Sequence, residues 1–171
     1  ELQTGARTLG FESFETLTGG SAADEFAFSG VQTLSVNGAA GDDTFTFVNG
    51  ALLNGALNGG LGTDTVNFAG VATLVAVDLT ALGSEDGFSG TFSGLNGSFD
   101  NLDAAIGSFH SDDRLTGVVN SGAFVIDASQ DDWNNYLQSG RSFAFQDFEN
   151  AYGNLGDDTF TVAGSETLRL F

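Results

Sequence analysis

The chain has 171 residues, a formal charge of -19, 41% hydrophobic residues and 17 phenylalanines, enough apolar material for a buried core and too much for a disordered chain. Its basic residues are Arg7, Arg114, Arg141 and Arg169, with no lysine, so the surface repels nucleic acid and anionic lipid and attracts cations. The lack of cysteine excludes disulfides, thiolate metal sites and cysteine nucleophiles, and no apolar run approaches the roughly 20 residues of a membrane span.

Taken in order, the chain is punctuated by a corner motif. Gly19 to Ala27 reads GGSAADEFA, Gly38 to Thr46 reads GAAGDDTFT, and Gly59 to Asn67 reads GGLGTDTVN. Each is a glycine-rich turn with an aspartate, followed by a short alternating strand. Asp24, Asp43 and Asp64 recur roughly 20 residues apart, a repeat length typical of solenoid coils. The apolar pairs Phe26/Phe28, Phe45/Phe47 and Val66/Phe68 keep that spacing. Two-residue alternation marks half-buried strands.

From Leu79 to Asp113 the pattern loosens. A protruding loop is expected around Ser84 to Gly87, and a short helix over Asn101 to Ile106 with Leu102 and Ile106 inward. Asp112 to Thr116 reads as a worn corner. Asp127 to Gly140, which holds the single tryptophan, Trp133, reads as the polar outer part of a coil. A fourth corner, Gly153 to Thr161 (GNLGDDTFT), lies near the C-terminus.

A longer repeat overlies these corners. Arg7 to Gly30 aligns without a gap to Arg141 to Gly164 at an offset of 134, through pairs such as Phe11/Phe145, Phe14/Phe148, Glu15/Glu149, Gly19/Gly153, Asp24/Asp158 and Phe26/Phe160. The match extends over 7–36 and 141–170. Residues 1–171 therefore read as a single continuous segment, one unit of about 134 residues and the start of the next, cut from a tandem array. The absence of a leader and the first residue, Glu1, fit an internal piece of a longer protein. A period near 20 with glycine corners predicts an all-β parallel β-helix (β-solenoid), with Gly/Asp corners and a Phe-rich core. An antiparallel sandwich is the alternative; recurrence of the corner on the same side of successive strands favours the solenoid.

The corner residues suit calcium. Glycines allow left-handed turns that face carbonyls inward, and aspartate supplies hard oxygen ligands. Stacked corners would place carboxylates about 4.8 Å apart, where two charges repel by roughly 1 kcal/mol in water and about 3.5 at an effective dielectric of 20. A shared Ca²⁺ at Asp24, Asp43, Asp64 and Asp158 would reverse that sign. Alternatively, these aspartates cap their own turns through backbone hydrogen bonds.

The nonapeptide GGLGTDTVN is similar to the repeat of the RTX calcium-binding β-rolls. Here the copies are not in uninterrupted tandem, and Ala22, Ala39 and Asn154 stand at motif glycines. The wider phrasing, FESFETLTGGSAADEFAF and FENAYGNLGDDTFTV, resembles giant bacterial extracellular repeat adhesins of the filamentous-haemagglutinin-like and RTX-like kinds. That resemblance implies a secreted, elongated protein at the bacterial cell surface, structural or adhesive. Its partners would be neighbouring repeats, a homopolymeric fibre, or a surface or glycan target. It carries over no catalytic residue.

Other readings are weaker in the residues. A polysaccharide-acting enzyme needs a basic residue or carboxylate pair in a groove, and the sequence offers only lone His110 and Asp112, Asp113 and Arg114. Outward threonines at Thr44, Thr46, Thr65, Thr159 and Thr161, with Asn67, could order ice-like water, but Glu25 interrupts the row and strand propensity explains threonine equally. Trp133 and Tyr136 could contact a neighbouring module or cover a core end. The expected role is a non-catalytic segment of a bacterial extracellular fibre, stalk or adhesin, or a calcium-dependent RTX-type module.

Overall fold

A computed structural model describes residues 14–127, 133–163 and 169–170. The upstream part of the first repeat copy, with Arg7 and Phe11, lies outside them, as do 128–132 and 164–168. The described residues form strands and no helix. The first run comprises β1 (Thr16–Thr18), β2 (Glu25–Phe28), β3 (Val31–Gln32), β4 (Ser35–Ala40), β5 (Thr44–Val48), β6 (Leu52–Leu53), β7 (Leu57–Leu61) and β8 (Thr65–Gly70). Next come β9 (Ala76–Leu82), β10 (Phe88–Phe92), β11 (Phe99–Leu102), β12 (Ala104–Ile106) and β13 (Arg114–Thr116). The chain continues with β14 (Ala123–Asp127), β15 (Asn134–Gln138), β16 (Arg141–Gln146), β17 (Asn150–Tyr152), β18 (Thr159–Ala163) and β19 (Arg169–Leu170).

The parallel β-helix expected from the regular corner spacing does not form. The strands gather into two large mixed sheets instead. One has nine strands in the order β1-β4-β7-β11-β10-β9-β13-β17-β19, the other eight in the order β18-β14-β15-β16-β12-β8-β5-β2. Parallel pairing does run through the first part, with Phe26 opposite Phe45 and Phe45 opposite Val66. Beyond β8 it is interrupted. β10 pairs antiparallel with both β9 and β11, and β15 pairs antiparallel with both β14 and β16. Antiparallel neighbours need only a tight turn, whereas parallel ones need a crossover. The added residues after Asp64 are spent on those hairpins.

The loop expected at Ser84 to Gly87 is the turn of the β9–β10 hairpin. Its ends are pinned by Arg141, whose guanidinium donates to the carbonyls of Gly83 at 2.7 Å, Gly87 at 3.0 Å and Glu85 at 3.1 Å. The helix expected over Asn101 to Ile106 is replaced by β11 and β12. Asn101, within β11, takes a left-handed φ of 54°, and Asp103 separates the two strands. Leu102, Ala104 and Ala105 are buried while Ile106 is not, a pattern that no single helix face produces.

Both sheets bury their inner faces in one core. Phenylalanines stack along its ladder, Phe26 on Phe45 at 5.1 Å and Phe28 on Phe47 at 4.6 Å between ring centroids. Tyr136, expected in a polar outer segment, is fully buried. Its ring packs on Phe124 at 4.7 Å, and its hydroxyl accepts the Val118 amide at 3.0 Å. Gly117 and Gly122 make room for it, since a Cβ on either would lie within 2.6 Å of the ring. The polar lettering of NNYLQ hides a strand whose inward position carries an aromatic ring with a satisfied hydroxyl.

The sequence repeat at an offset of 134 is also a structural one. β17 and β18 occupy the positions of β1 and β2 shifted by 134, and Thr16 opposite Ser35 recurs as Asn150 opposite Arg169.

Candidate functional site

The acids at the strand entrances form the one recurrent chemical arrangement in the described residues. Asp24, Asp43, Asp64 and Asp103 immediately precede β2, β5, β8 and β12, which are neighbours in the eight-stranded sheet. From Asp43 onward, each carboxylate accepts the amide of the acid one rung back. Asp43 Oδ1 takes the Asp24 amide at 2.8 Å, Asp64 Oδ1 the Asp43 amide at 2.9 Å, and Asp103 Oδ2 the Asp64 amide at 3.0 Å. A second ladder enters the nine-stranded sheet, where Asp113 Oδ1 accepts from Val75 at 2.7 Å and Glu149 Oε2 accepts from Asp113 at 2.9 Å. Asp158 does the same for β14 and β18, its Oδ1 taking the Gly122 amide at 3.0 Å.

The glycine of each corner has a specific task. Gly19, Gly38, Gly59 and Gly153 stand five residues before Asp24, Asp43, Asp64 and Asp158. The second carboxylate oxygen of each aspartate sits where a glycine Cβ would be, at 2.7 Å for Gly19, 2.5 Å for Gly59 and 2.6 Å for Gly153, and overlapping outright for Gly38. A Cβ on Gly38 would also overlap the Gly59 carbonyl, and one on Gly59 the Asn101 carbonyl. The G-x-x-x-x-D spacing therefore lets the acid fold back over its own turn while strands close on either side.

Burial makes these acids unusual. Asp43, Asp64 and Asp113 are fully buried, and Asp43 Oδ2 and Asp64 Oδ2 have no hydrogen-bond partner. Desolvation pushes the Asp64 carboxyl up to about 7; the Asp43 amide opposes this, and the charges of Asp43, Asp103 and Asp86 add to it. Asp103 rises to about 6, first through burial. Asp43 and Glu149 rise for the same leading reason. Three consecutive amides crowd the acids further: Gly62 donates to Asp86 at 3.2 Å, Thr63 to Asp42 at 2.8 Å and Asp64 to Asp103. Like charges held this closely raise one another.

The structure thus brings Asp24, Asp43 and Asp64 into one ladder and places Asp158 in a separate one. Sequence reasoning missed Asp103 and Glu149 as ladder members. Asp103 lacks a glycine five residues earlier, its place being taken by Ser98, and it follows Asp64 by 39 residues. As a calcium site the arrangement fits poorly. One oxygen of Asp43, Asp64 and Asp158 already accepts an amide from the neighbouring strand, and among the described residues no group of three or more acidic or histidine side chains converges as a metal site. The orphaned second oxygens of Asp43 and Asp64 are the feature that still points to a bound cation or a proton.

The remaining candidates disperse. Asp113 turns inward to the ladder, while Arg114 meets Asp78 at 3.5 Å on the surface. The amide of His110 donates to Ser108 Oγ at 3.0 Å. Thr44 lies opposite Thr65 and Thr46 opposite Asn67, but the flanking strands bring Glu25 and Ala27 on one side and Ala104 and Ile106 on the other. No known protein family matches the chain, and neither curated proteins nor solved structures give a match.

Proposed function

We propose that this chain is a non-catalytic structural segment of a bacterial extracellular fibre, stalk or surface adhesin built from tandem copies of one long unit. The observation that carries this reading is the recurrence of β1, β2 and β4 as β17, β18 and β19 at one offset, with the β1–β4 pairing repeated between β17 and β19. A unit that begins again on its predecessor, within the same two sheets, is suited to growth along one axis. The corner acids support this role, because their hydrogen bonds hold rung to rung. Small-angle scattering of chains with one, two and three units tests it. A maximum dimension that grows by a constant increment per unit is expected; units that collapse into a globule would overturn the stalk.

A second reading, calcium binding at the corners, is favoured by the unpartnered Asp43 Oδ2 and Asp64 Oδ2. Asp24, Asp43 and Asp64 would hold the ion on one ladder and Asp158 on another, with the ion neutralising their charge. Thermal unfolding at pH 8 with calcium and with EGTA decides it. A rise in melting temperature with calcium that Asp64→Asn abolishes would sustain it, and superimposable curves would remove it.

A further inference from the structure

We infer that the outer edge formed by β1 and β2 is the acceptor for a second copy of the unit, whose residues 114–116 pair with β1 and whose residues 123–127 pair with β2, both in parallel. The inference rests on the tandem-array reading and adds the face and the register of the junction.

The chain contains one such junction already. β17 lies against β13 with Asn150 opposite Arg114, and β18 lies against β14 with Thr159 opposite Ala123 and Phe160 opposite Phe124. Shifting by 134 converts these partners into Thr16, Glu25 and Phe26, which belong to the terminal strands of their sheets. The predicted register is therefore Arg114 of the incoming copy opposite Thr16, and Ala123 opposite Glu25.

The acids at this edge are already posed. At the existing junction Glu149 accepts the Asp113 amide and Asp158 Oδ1 accepts the Gly122 amide, while Asp158 Oδ2 holds Asn154 of its own turn at 2.9 Å. The counterparts are Glu15 and Asp24. Asp24 Oδ2 holds Gly20, the counterpart of Asn154, at 2.6 Å, and among the described residues its Oδ1 accepts no hydrogen bond. An incoming copy would supply the amides of its Asp113 and Gly122 to Glu15 and Asp24.

Around β1, burial differs between the two copies in the direction that docking requires. Phe14 is 53% exposed where its counterpart Phe148 is 5% exposed. Thr16 is exposed where Asn150 is buried, and Leu17 is half-buried where Ala151 is fully buried. The same positions are covered where a preceding unit lies beside them and uncovered where none does. Among the described residues no strand lies beyond this edge; unpaired strand edges are templates for further pairing, and this one matches a segment of the same sequence.

A chain carrying a second copy of residues 1–134 ahead of the full sequence tests the junction. Hydrogen exchange is read at β1 and β2 of the downstream copy and compared with the single chain. Slowing of those amides to the rates of β17 and β18 is expected. Ala27→Pro in the downstream copy supplies the second arm. The Asp24 amide and carbonyl both face β5, so strand alternation turns the Ala27 amide to the outer edge, where proline is tolerated. This substitution should leave the melting temperature of the single chain nearly unchanged and abolish the slowing in the extended chain. Downstream amides that exchange as fast as in the single chain would overturn the junction. So would an Ala27→Pro variant of the extended chain that keeps the slowing. With linear growth in scattering, either result would leave the stalk reading standing on a different linkage.

Discussion

Between Asp24 and Asp64 the strand-entrance acids come 19 and 21 residues apart, and the strands they open run parallel. Beyond Asp64 the linked positions lie 36 to 39 residues apart, and antiparallel hairpins occupy the difference. One feature survives the change. In both regions an acid just before a strand accepts the amide just before the neighbouring parallel strand. The acid-to-amide bond thus fixes which parallel strands meet, while the length of chain between acids decides what else is inserted. Such bonds suit that task because a charged acceptor on a buried amide is stronger than a neutral one, and loss of the acid leaves the amide unsatisfied.

The sharpest way to break the regular region is at Gly59. Gly59→Ala places a methyl group against the Asn101 carbonyl and 2.5 Å from Asp64 Oδ2, so either the strand or the acid must leave its place. A loss of about 4 kcal/mol is expected, at the upper end for a single substitution. Gly30→Ala is the control. Gly30 has a φ of 61° but nothing within 4 Å of where a Cβ would stand, so only left-handed strain of about 1–2 kcal/mol applies. Denaturant unfolding of the two variants separates packing against the ladder from backbone conformation. Equal losses would mean that the five-residue spacing from glycine to aspartate has no special role.

The irregular region is best probed at Arg141. Arg141→Ala removes the guanidinium from the carbonyls of Gly83, Glu85 and Gly87, of which Gly87 keeps the Gly83 amide at 3.1 Å, at a cost of about 2 kcal/mol. Arg141→Lys should recover only part of this, because an ammonium cannot reproduce the planar fork that spans three carbonyls. Hydrogen exchange should quicken in the β9–β10 turn and stay unchanged in β2 and β5. Spread of the effect to those strands would show that the two regions do not respond separately.

What could be read in the sequence follows the same division. All-β character, the half-buried alternation at Phe45/Phe47 and Val66/Phe68, and the shared ladder of Asp24, Asp43 and Asp64 are all local in origin, since glycine, acid and apolar pair recur together in one short stretch. The offset of 134 was equally plain, and it marks a structural recurrence. Strand direction was not legible, because alternation sets which side chains face inward but says nothing about the orientation of the neighbour. That is why the stretch from β9 to β11, which the sequence presents only as a loosened pattern with a loop and a short helix, forms antiparallel pairs. Asp103 and Glu149 escaped notice because their partners are 39 and 36 residues away. The apolar pair Leu102 and Ile106 suggested a helix by their i,i+4 spacing, which Asn101 overrides.

The smallest expected effect concerns charge in the regular ladder, and its sign depends on pH. Asp64 and Asp103 have folded values near 7 and 6, above the ordinary carboxyl value of 3.8, so the folded state holds protons that the unfolded state releases. Their contribution to stability is fully present below about pH 4 and is lost as pH rises through about 6 and then about 7. Asp64→Asn keeps an oxygen for the Asp43 amide and removes the buried charge. Near pH 5, where Asp64 is protonated, the substitution should change the melting temperature little. At pH 8 it should stabilise the chain by at least about 1 kcal/mol, and the fall in stability between those pH values should become shallower. If Asp64→Asn destabilised the protein equally at both pH values, the carboxylate would be ionised throughout, and its unpartnered oxygen would then have to be neutralised by a cation and not a proton.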